Sequence, residues 1–410
     1  EDLIGGYDMT VRTDAKTHFT AEGLALESSK QYFPQEVCGI VNGSAFTVEI
    51  RLGAFASVGD AYNTFMNSDN DNFALFRRNS NNVLEFKWAA VGAGQRPTVE
   101  NGLTVLQDAL VSITYEVGGE VVLYINGTRA AARDCTAAMG ADNLFIGHVG
   151  RKAFRTTYRS LRFYRRALSA EEIRRNAAVD GYVDVKELYV QDGLVSLYSG
   201  IRNTRAGYNA DVWEDLAGQQ DVTLNLNDKN YFTREGLRLN SQKHSFPQTI
   251  VDTVNGQAFT VEMSLGALTT LGHSFNTFIN STNDNFSLFR RVSNNVLEFK
   301  FAGNAAAERP TVQDGLEAFS GNLVAVTYEV GGKTVIYING EKVAEAASPR
   351  AMGAEDLFFG HPDTSRNYDT TFRAMRFYNR ALTAEEIMKN AKADGSFSAK
   401  DTRPTSPGYV

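Results

Sequence analysis

Apolar and polar residues alternate along most of this chain, in short runs broken by glycine and asparagine. Phe46-Thr-Val-Glu-Ile has the period of two that a strand with one buried face requires. Ile113-Thr-Tyr-Glu-Val and Val121-Val-Leu-Tyr-Ile flank Gly118-Gly119, which predicts a β-hairpin, because glycine takes the positive φ of such turns freely. Asp69-Asn-Asp-Asn and Asn79-Ser-Asn-Asn lie between further alternations and read as hairpin loops. A short helix is predicted from Ser169-Ala-Glu-Glu-Ile, where Ser169 and Glu172 make a capping box and Asp180-Gly181 ends the helix. Short strands with turns every 8–12 residues or so predict a β-sandwich.

The whole pattern occurs twice. Phe46-Thr-Val-Glu returns as Phe259-Thr-Val-Glu, an offset of 213, and the same offset carries Asn81-Asn-Val-Leu-Glu-Phe-Lys onto Asn294 and Tyr124-Ile-Asn-Gly onto Tyr337. Near Arg162-Phe-Tyr and Arg376-Phe-Tyr the offset becomes 214. A repeat this long is a duplicated domain rather than a short solenoid unit. The expected organisation is a first domain over residues 1–183, a second over 188–397, and a linker or tail over 398–410. The capping box recurs as Thr383 and Glu386. Glu1-Asp-Leu aligns with Glu214-Asp-Leu, so copy one has no counterpart of Leu194–Trp213, which opens with the strand-like Val195-Ser-Leu-Tyr-Ser-Gly. Trimmed upstream residues or another segment would supply that strand, so the chain is expected to be part of a longer protein.

Composition narrows the functional classes. With 41 Lys+Arg against 48 Asp+Glu over 410 residues, the net charge is −7, a poor basis for nucleic-acid binding, which depends on cations displacing phosphate counterions. No stretch approaches the roughly 20 apolar residues of a membrane span, so no membrane insertion is expected. Five His and two Cys do not suit a multi-zinc protein. Cys38 and Cys135 both fall in copy one, facing Val251 and Ser348 in copy two. A disulfide and a pair of buried free thiols are both open readings.

The succession Phe-Thr-Val-Glu, Thr-Tyr-Glu-Val-Gly-Gly, Tyr-Ile-Asn-Gly, Leu-Phe-Ile-Gly-His and Arg-Phe-Tyr-Arg-Arg-Ala-Leu-Ser-Ala-Glu-Glu-Ile resembles bacterial laminin-G-like domains of the concanavalin-A-like superfamily. It covers both copies nearly end to end. The resemblance implies an all-β fold of two tandem jelly-roll β-sandwiches, each with a short C-terminal helix and one concave sheet. It also implies secretion or cell-surface display in a multidomain bacterial protein. It names no single ligand.

Candidate chemistry is sparse. Glycoside hydrolases of this fold place paired carboxylates on one strand as Glu-x-Asp-x-(x)-Glu, so that alternate residues share a face. Here Thr47-Val-Glu-Ile-Arg and Val83-Leu-Glu-Phe-Lys each carry one carboxylate, and Glu171-Glu172 belong to the helix start. The expectation is therefore that this fragment is not an enzyme. His148 and His361 recur in register and read as strand-end residues bonded to a loop, with ligand contact at the rim the alternative. Asn67-Ser-Asp-Asn-Asp-Asn72 and Asn280-Ser-Thr-Asn-Asp-Asn285 are oxygen-rich. A tight turn explains them, and calcium is the alternative, with Asp71 and Asp284 the shared carboxylates.

Pairing strands across the loops Asp69–Asn72 and Asn79–Asn82 assigns faces. In the simplest register one face is core, and the other collects Asn63, Phe65, Asn67, Phe76, Arg78, Glu85 and Lys87. Copy two presents Asn276, Phe278, Asn280, Phe289, Arg291, Glu298 and Lys300. Aromatic rings among amides, arginine and carboxylate suit sugar recognition, rings for the apolar face of a pyranose and polar groups for its hydroxyls. The plain alternative is a mixed surface with Phe65 and Phe76 covered by a loop, the likeness of the two copies reflecting duplication alone, and a protein-binding face is the third reading. Arg162 and Tyr164, with Arg376 and Tyr378, alternate away from the core beside Thr47 and Glu49, where an Arg–Glu pair across strands is a sufficient structural reason for them. The expected function is a carbohydrate-binding or adhesive module binding a glycan or surface polysaccharide, with a structural spacer or protein-interaction module beside a catalytic domain as the alternative.

Overall fold

The computed structural model describes residues 6–59, 61–200, 211–233 and 235–395. The tail expected over 398–410 lies outside the described residues. The described residues up to Val183 form one compact unit and those from Asp184 onward a second.

Each unit is a sandwich of two antiparallel sheets. In unit one the larger sheet runs Thr17–Thr20, Gly23–Glu27, Phe154–Tyr164, Ala45–Leu52, Leu110–Glu116, Glu120–Ile125, Thr128–Asp134, with Ala56–Ser57 also on Phe154–Tyr164. The six-stranded sheet runs Gln31–Tyr32, Phe145–Ile146, Tyr62–Asn67, Phe73–Arg78, Val83–Trp88, Thr98–Val99. Unit two repeats both orders and adds Leu194–Ser199 beside Tyr368–Tyr378, with no counterpart among the described residues of unit one, and a separate two-stranded sheet of Val212–Trp213 and Val222–Thr223. Inward residues from both sheets, Val48, Ile50, Met66, Leu75, Phe86, Ile113 and Leu123, make the core of unit one. The hairpin at Gly118-Gly119 forms as the alternation predicts, with Tyr115 opposite Val121.

The predicted C-terminal helices span Ala170–Val179 and Ala384–Ala393, each opened by its capping box. Ile173 packs with Val122, Tyr124, Tyr164 and Leu168 on the outer face of the larger sheet. Helices Gln35–Val41 and Gln248–Val254 go beyond the single helix expected in each copy. Their apolar positions Val37, Cys38, Ile40 and Val41 are buried, so packing on the sheet, rather than a cap, holds the helix. Cys38 and Cys135 are buried free thiols: each Sγ donates to a backbone carbonyl, of Ala141 and Ala137 respectively.

Beneath each C-terminal helix lies an ion-pair network. Arg162 Nε donates to Glu49 Oε2 at 2.7 Å and its Nη1 to Asp180 Oδ1 at 3.2 Å. In unit two Arg376 makes the same bonds to Glu262 (2.6 Å) and Asp394 (2.9 Å), entirely buried, with the Tyr189 ring 4.3 Å from its guanidinium.

Candidate functional site

The site is built on the strands Tyr62–Asn67, Phe73–Arg78 and Val83–Trp88. Both hairpin loops pair as expected: Asn67 faces Ala74, Met66 faces Leu75 and Arg78 faces Val83. Asp71 and Asn82 take the left-handed φ of 55° and 57° that their loops require. Between Thr64 and Met66, however, the register shifts. Phe65 is an extra residue, a β-bulge, and everything N-terminal to it changes face.

Two face assignments in each copy are corrected as a result. Phe65 points inward, fully buried, with its ring 5.3 Å from Phe55 and 4.7 Å from Phe154. Phe278 does likewise, its ring 3.7 Å from Phe319. Asn63 also faces inward, where its Oδ1 accepts from Arg77 Nη1 at 2.9 Å and its Nδ2 donates to the Ala153 carbonyl. Asn276 serves Arg290 in the same way. An inward guanidinium needs acceptors, and the bulge delivers one.

Tyr62 and Thr64 take the vacated outer positions, opposite Arg78 and Phe76. Their counterparts are Phe275 and Thr277. The adjacent apolar pairs Phe65-Met66 and Phe278-Ile279, each breaking the alternation, were the available signal. The structure also recruits Arg96 and Arg309, which the pairing argument did not reach.

Asn67, Phe76, Arg78, Glu85 and Lys87 do share the outer face, as do Asn280, Phe289, Arg291, Glu298 and Lys300. Phe76 and Tyr62 meet edge to face at 5.5 Å and 88°, and Phe289 and Phe275 at 5.5 Å and 88°. Arg78 Nε donates to Glu85 Oε1 at 2.8 Å, and Arg96 Nη1 to Glu85 Oε2 at 3.2 Å. The hydrogen bond to Glu85 holds the Arg78 guanidinium above its ordinary pKa. Arg291 and Arg309 bracket Glu298 at 2.9 and 3.0 Å.

Beside this centre Asn67 Nδ2 donates to Asp71 Oδ1 at 2.6 Å, and Lys152 Nζ stands 3.6 Å from the same carboxylate. Burial alone would push the Asp71 carboxyl up, but the Asn67 hydrogen bond and the charges of Lys152 and Lys87 carry it below the ordinary value. Asp284 has Lys300 at 3.6 Å and Arg366 at 3.9 Å. Each calcium candidate is thus already faced by cations, and among the described residues no group of three or more His, Cys, Asp or Glu converges. His148 Nδ1 accepts from the Val149 N–H at 2.9 Å and His361 Nδ1 from the Asp363 N–H at 3.2 Å, the strand-end role. Burial lowers the pKa of both.

Two antiparallel sheets, a helix against one and an aromatic–arginine–carboxylate face on the other define a lectin-type sandwich. The chain belongs to the concanavalin A-like lectin/glucanases superfamily, whose model matches residues 27–174 and again 240–388. No curated protein matches it. Among solved structures it is similar to a Trypanosoma rangeli sialidase mutant displaying trans-sialidase activity, at 15% identity, 72% of this chain, 51% of that chain and a TM-score of 0.39. It is also similar to the CBM40 of Ruminococcus gnavus IT-sialidase bound to α2,3-sialyllactose (15% identity, 38% of this chain, 96% of that one, TM-score 0.31). A third is the binding domain of botulinum neurotoxin DC in complex with SialylT (11% identity, 90% and 95% covered, TM-score 0.35). The chain spans about half the length of the sialidase it matches. No score reaches 0.5, and no residue's role passes from those proteins to this chain. The expectation that the fragment is not an enzyme is nonetheless corrected: sialidases stand among the structures it resembles, so the missing carboxylate motif does not decide the matter.

Proposed function

We propose that this chain binds carbohydrate through the outer face of the six-stranded sheet in each unit, as an adhesive region of a secreted or surface-displayed protein. The observation that carries this reading is the same ring pair, flanked by the same arginines and one carboxylate, in both copies. The half-buried Tyr62 and Phe275 offer the accessible apolar surface, backed by the buried Phe76 and Phe289, and the Arg–Glu–Arg group offers fixed donors and acceptors beside it. Superfamily membership supports the same reading.

Charge refines the ligand class. In unit one Arg78, Arg96, Lys87 and Lys152 surround Glu85 and Asp71; in unit two Arg291, Arg309, Lys300 and Arg366 surround Glu298 and Asp284. Cations exceed carboxylates on a protein whose net charge is −7, which favours acidic sugars over neutral ones. Screening the full chain on an array of neutral and acidic glycans tests this. Binding to acidic glycans that falls at least about tenfold when Tyr62→Ala and Phe275→Ala are combined is the expected result. Undiminished binding by that variant moves the site elsewhere, and silence across the array favours a protein partner.

A further inference from the structure

A cross-strand row closes the outer face of the six-stranded sheet at the end away from Tyr62. It runs Phe145, Asn67, Ala74, Lys87 in unit one, each residue opposite the next. In unit two it runs Phe358, Asn280, Ser287, Lys300. Lys30 Nζ stands 4.0 Å from the centre of the buried Phe145 ring, and Lys243 Nζ 3.7 Å from that of Phe358.

Among the described residues, two kinds of buried polar atom lack a hydrogen-bond partner on the same residue at equivalent positions of both copies. They are the Oδ1 of Asn67 and Asn280 and the Nε of Arg96 and Arg309, and both belong to this face. Asn67 and Asn280 are only 2% and 4% exposed. Their amides have no freedom to turn over, because each Nδ2 donates to a carboxylate, Asp71 at 2.6 Å and Asp284 at 3.1 Å. The atom left over is therefore an acceptor in each copy, and a buried acceptor calls for a donor.

The neighbouring cations are drawn to the carboxylates instead. Half-buried Lys152 and Lys87 act on Asp71, and half-buried Lys300 and Arg366 on Asp284, so each carboxylate is faced by two positive charges. Lys30 and Lys243 have carboxylates of their own, Asp69 and Asp356. One positive charge in each copy is left to meet a second anion. The span is short: Asn67 and Lys152 meet the same Asp71 oxygen, and Asn280 and Arg366 the same Asp284 oxygen.

An acceptor in need of a donor, close beside a pair of cations, matches a ligand with a hydroxyl and an anionic group on neighbouring carbons. Resting on the carbohydrate reading above, we propose that this row is the acid-binding subsite of each unit and that it takes a terminal hexuronic acid. The free 4-hydroxyl of that sugar donates to Asn67 Oδ1 or Asn280 Oδ1. Its carboxylate, on the next carbon, accepts from Lys87 and Lys152, or from Lys300 and Arg366.

Titrating the full chain with galacturonic acid tetramer and with cellobiouronic acid tests the proposal, each beside its carboxyl-reduced neutral form and beside galactose 6-sulfate. At least one uronide is expected to bind about tenfold or more tightly than its neutral form. Lys87→Gln combined with Lys300→Gln should cut that preference to about threefold or less, and Asn67→Ala combined with Asn280→Ala should weaken the uronide about three- to tenfold. Tyr62→Ala with Phe275→Ala should weaken acidic and neutral forms alike. No preference for the acid, or a preference that survives the lysine changes, overturns the proposal and leaves the carbohydrate reading in place. Tighter binding of galactose 6-sulfate than of either uronide overturns the assignment to a carboxylate. Binding of none of these sugars overturns it as well, and the carbohydrate reading falls with it only if the glycan array is also silent.

Discussion

His244 in unit two occupies the position that Gln31 holds in unit one. Gln31 is fully engaged, its Oε1 accepting from Arg12 N and its Nε2 donating to Ser29 Oγ. His244 is 2% exposed, and its Nε2 has no partner among the described residues. Burial therefore pushes its pKa down to about 4 from an ordinary 6.5. The folded unit keeps the ring neutral while the unfolded chain protonates it near 6.5. Stability from this residue is thus intact above that pH and lost as pH falls toward 4, by about 3 kcal/mol in all. Thermal melts of wild type and His244→Gln from pH 7 to pH 4 should show the wild type losing more. Parallel curves would show that His244 does not titrate this way.

At the scale of elements, the docking of the last helix rests on one guanidinium in each unit. Arg376 bonds Glu262 and Asp394 in a buried site, and Asn390 Nδ2 donates to Glu262 Oε2 at 2.9 Å. Removing the arginine strands a buried carboxylate, so Arg376→Leu should cost unit two about 3–5 kcal/mol in denaturant titrations. Arg162→Leu should cost unit one less, because water reaches Arg162. Burial already pushes the Glu262 carboxyl upward, so mild acid should return part of the loss by neutralising it. Equal losses in the two units would contradict the link between cover and cost. These elements were legible in advance: alternation placed Arg162 across from Glu49, and the capping boxes placed the helix starts. The strand Tyr62–Asn67 was legible only to its bulge, because pairing arithmetic assumes one residue opposite one. The helices Gln35–Val41 and Gln248–Val254 escaped because seven residues held by packing carry little local signal.

For the whole molecule the duplication was the most legible feature, since a constant offset needs no structural inference. It sets an expectation for binding. Two similar faces on one chain should engage a polymeric acidic glycan together, raising apparent affinity roughly 10²–10⁴-fold over either unit alone, and should give no gain on a monovalent oligosaccharide. Separating the units between Val183 and Asp184 and titrating each against polymer and oligomer checks this. Equal polymer affinity of one unit and the full chain would rule it out.

The bulge at Phe65 and Phe278 has a bearing on descent. Which residues of Tyr62–Phe65 meet a ligand and which meet the interior is decided by a count, two residues against one, rather than by their chemical identity. A point substitution can alter what stands at Tyr62 or Asn63 but cannot exchange their sides; only an insertion or deletion shifts the frame. Both copies carry the extra residue, so the ligand face can drift in composition while its membership stays fixed.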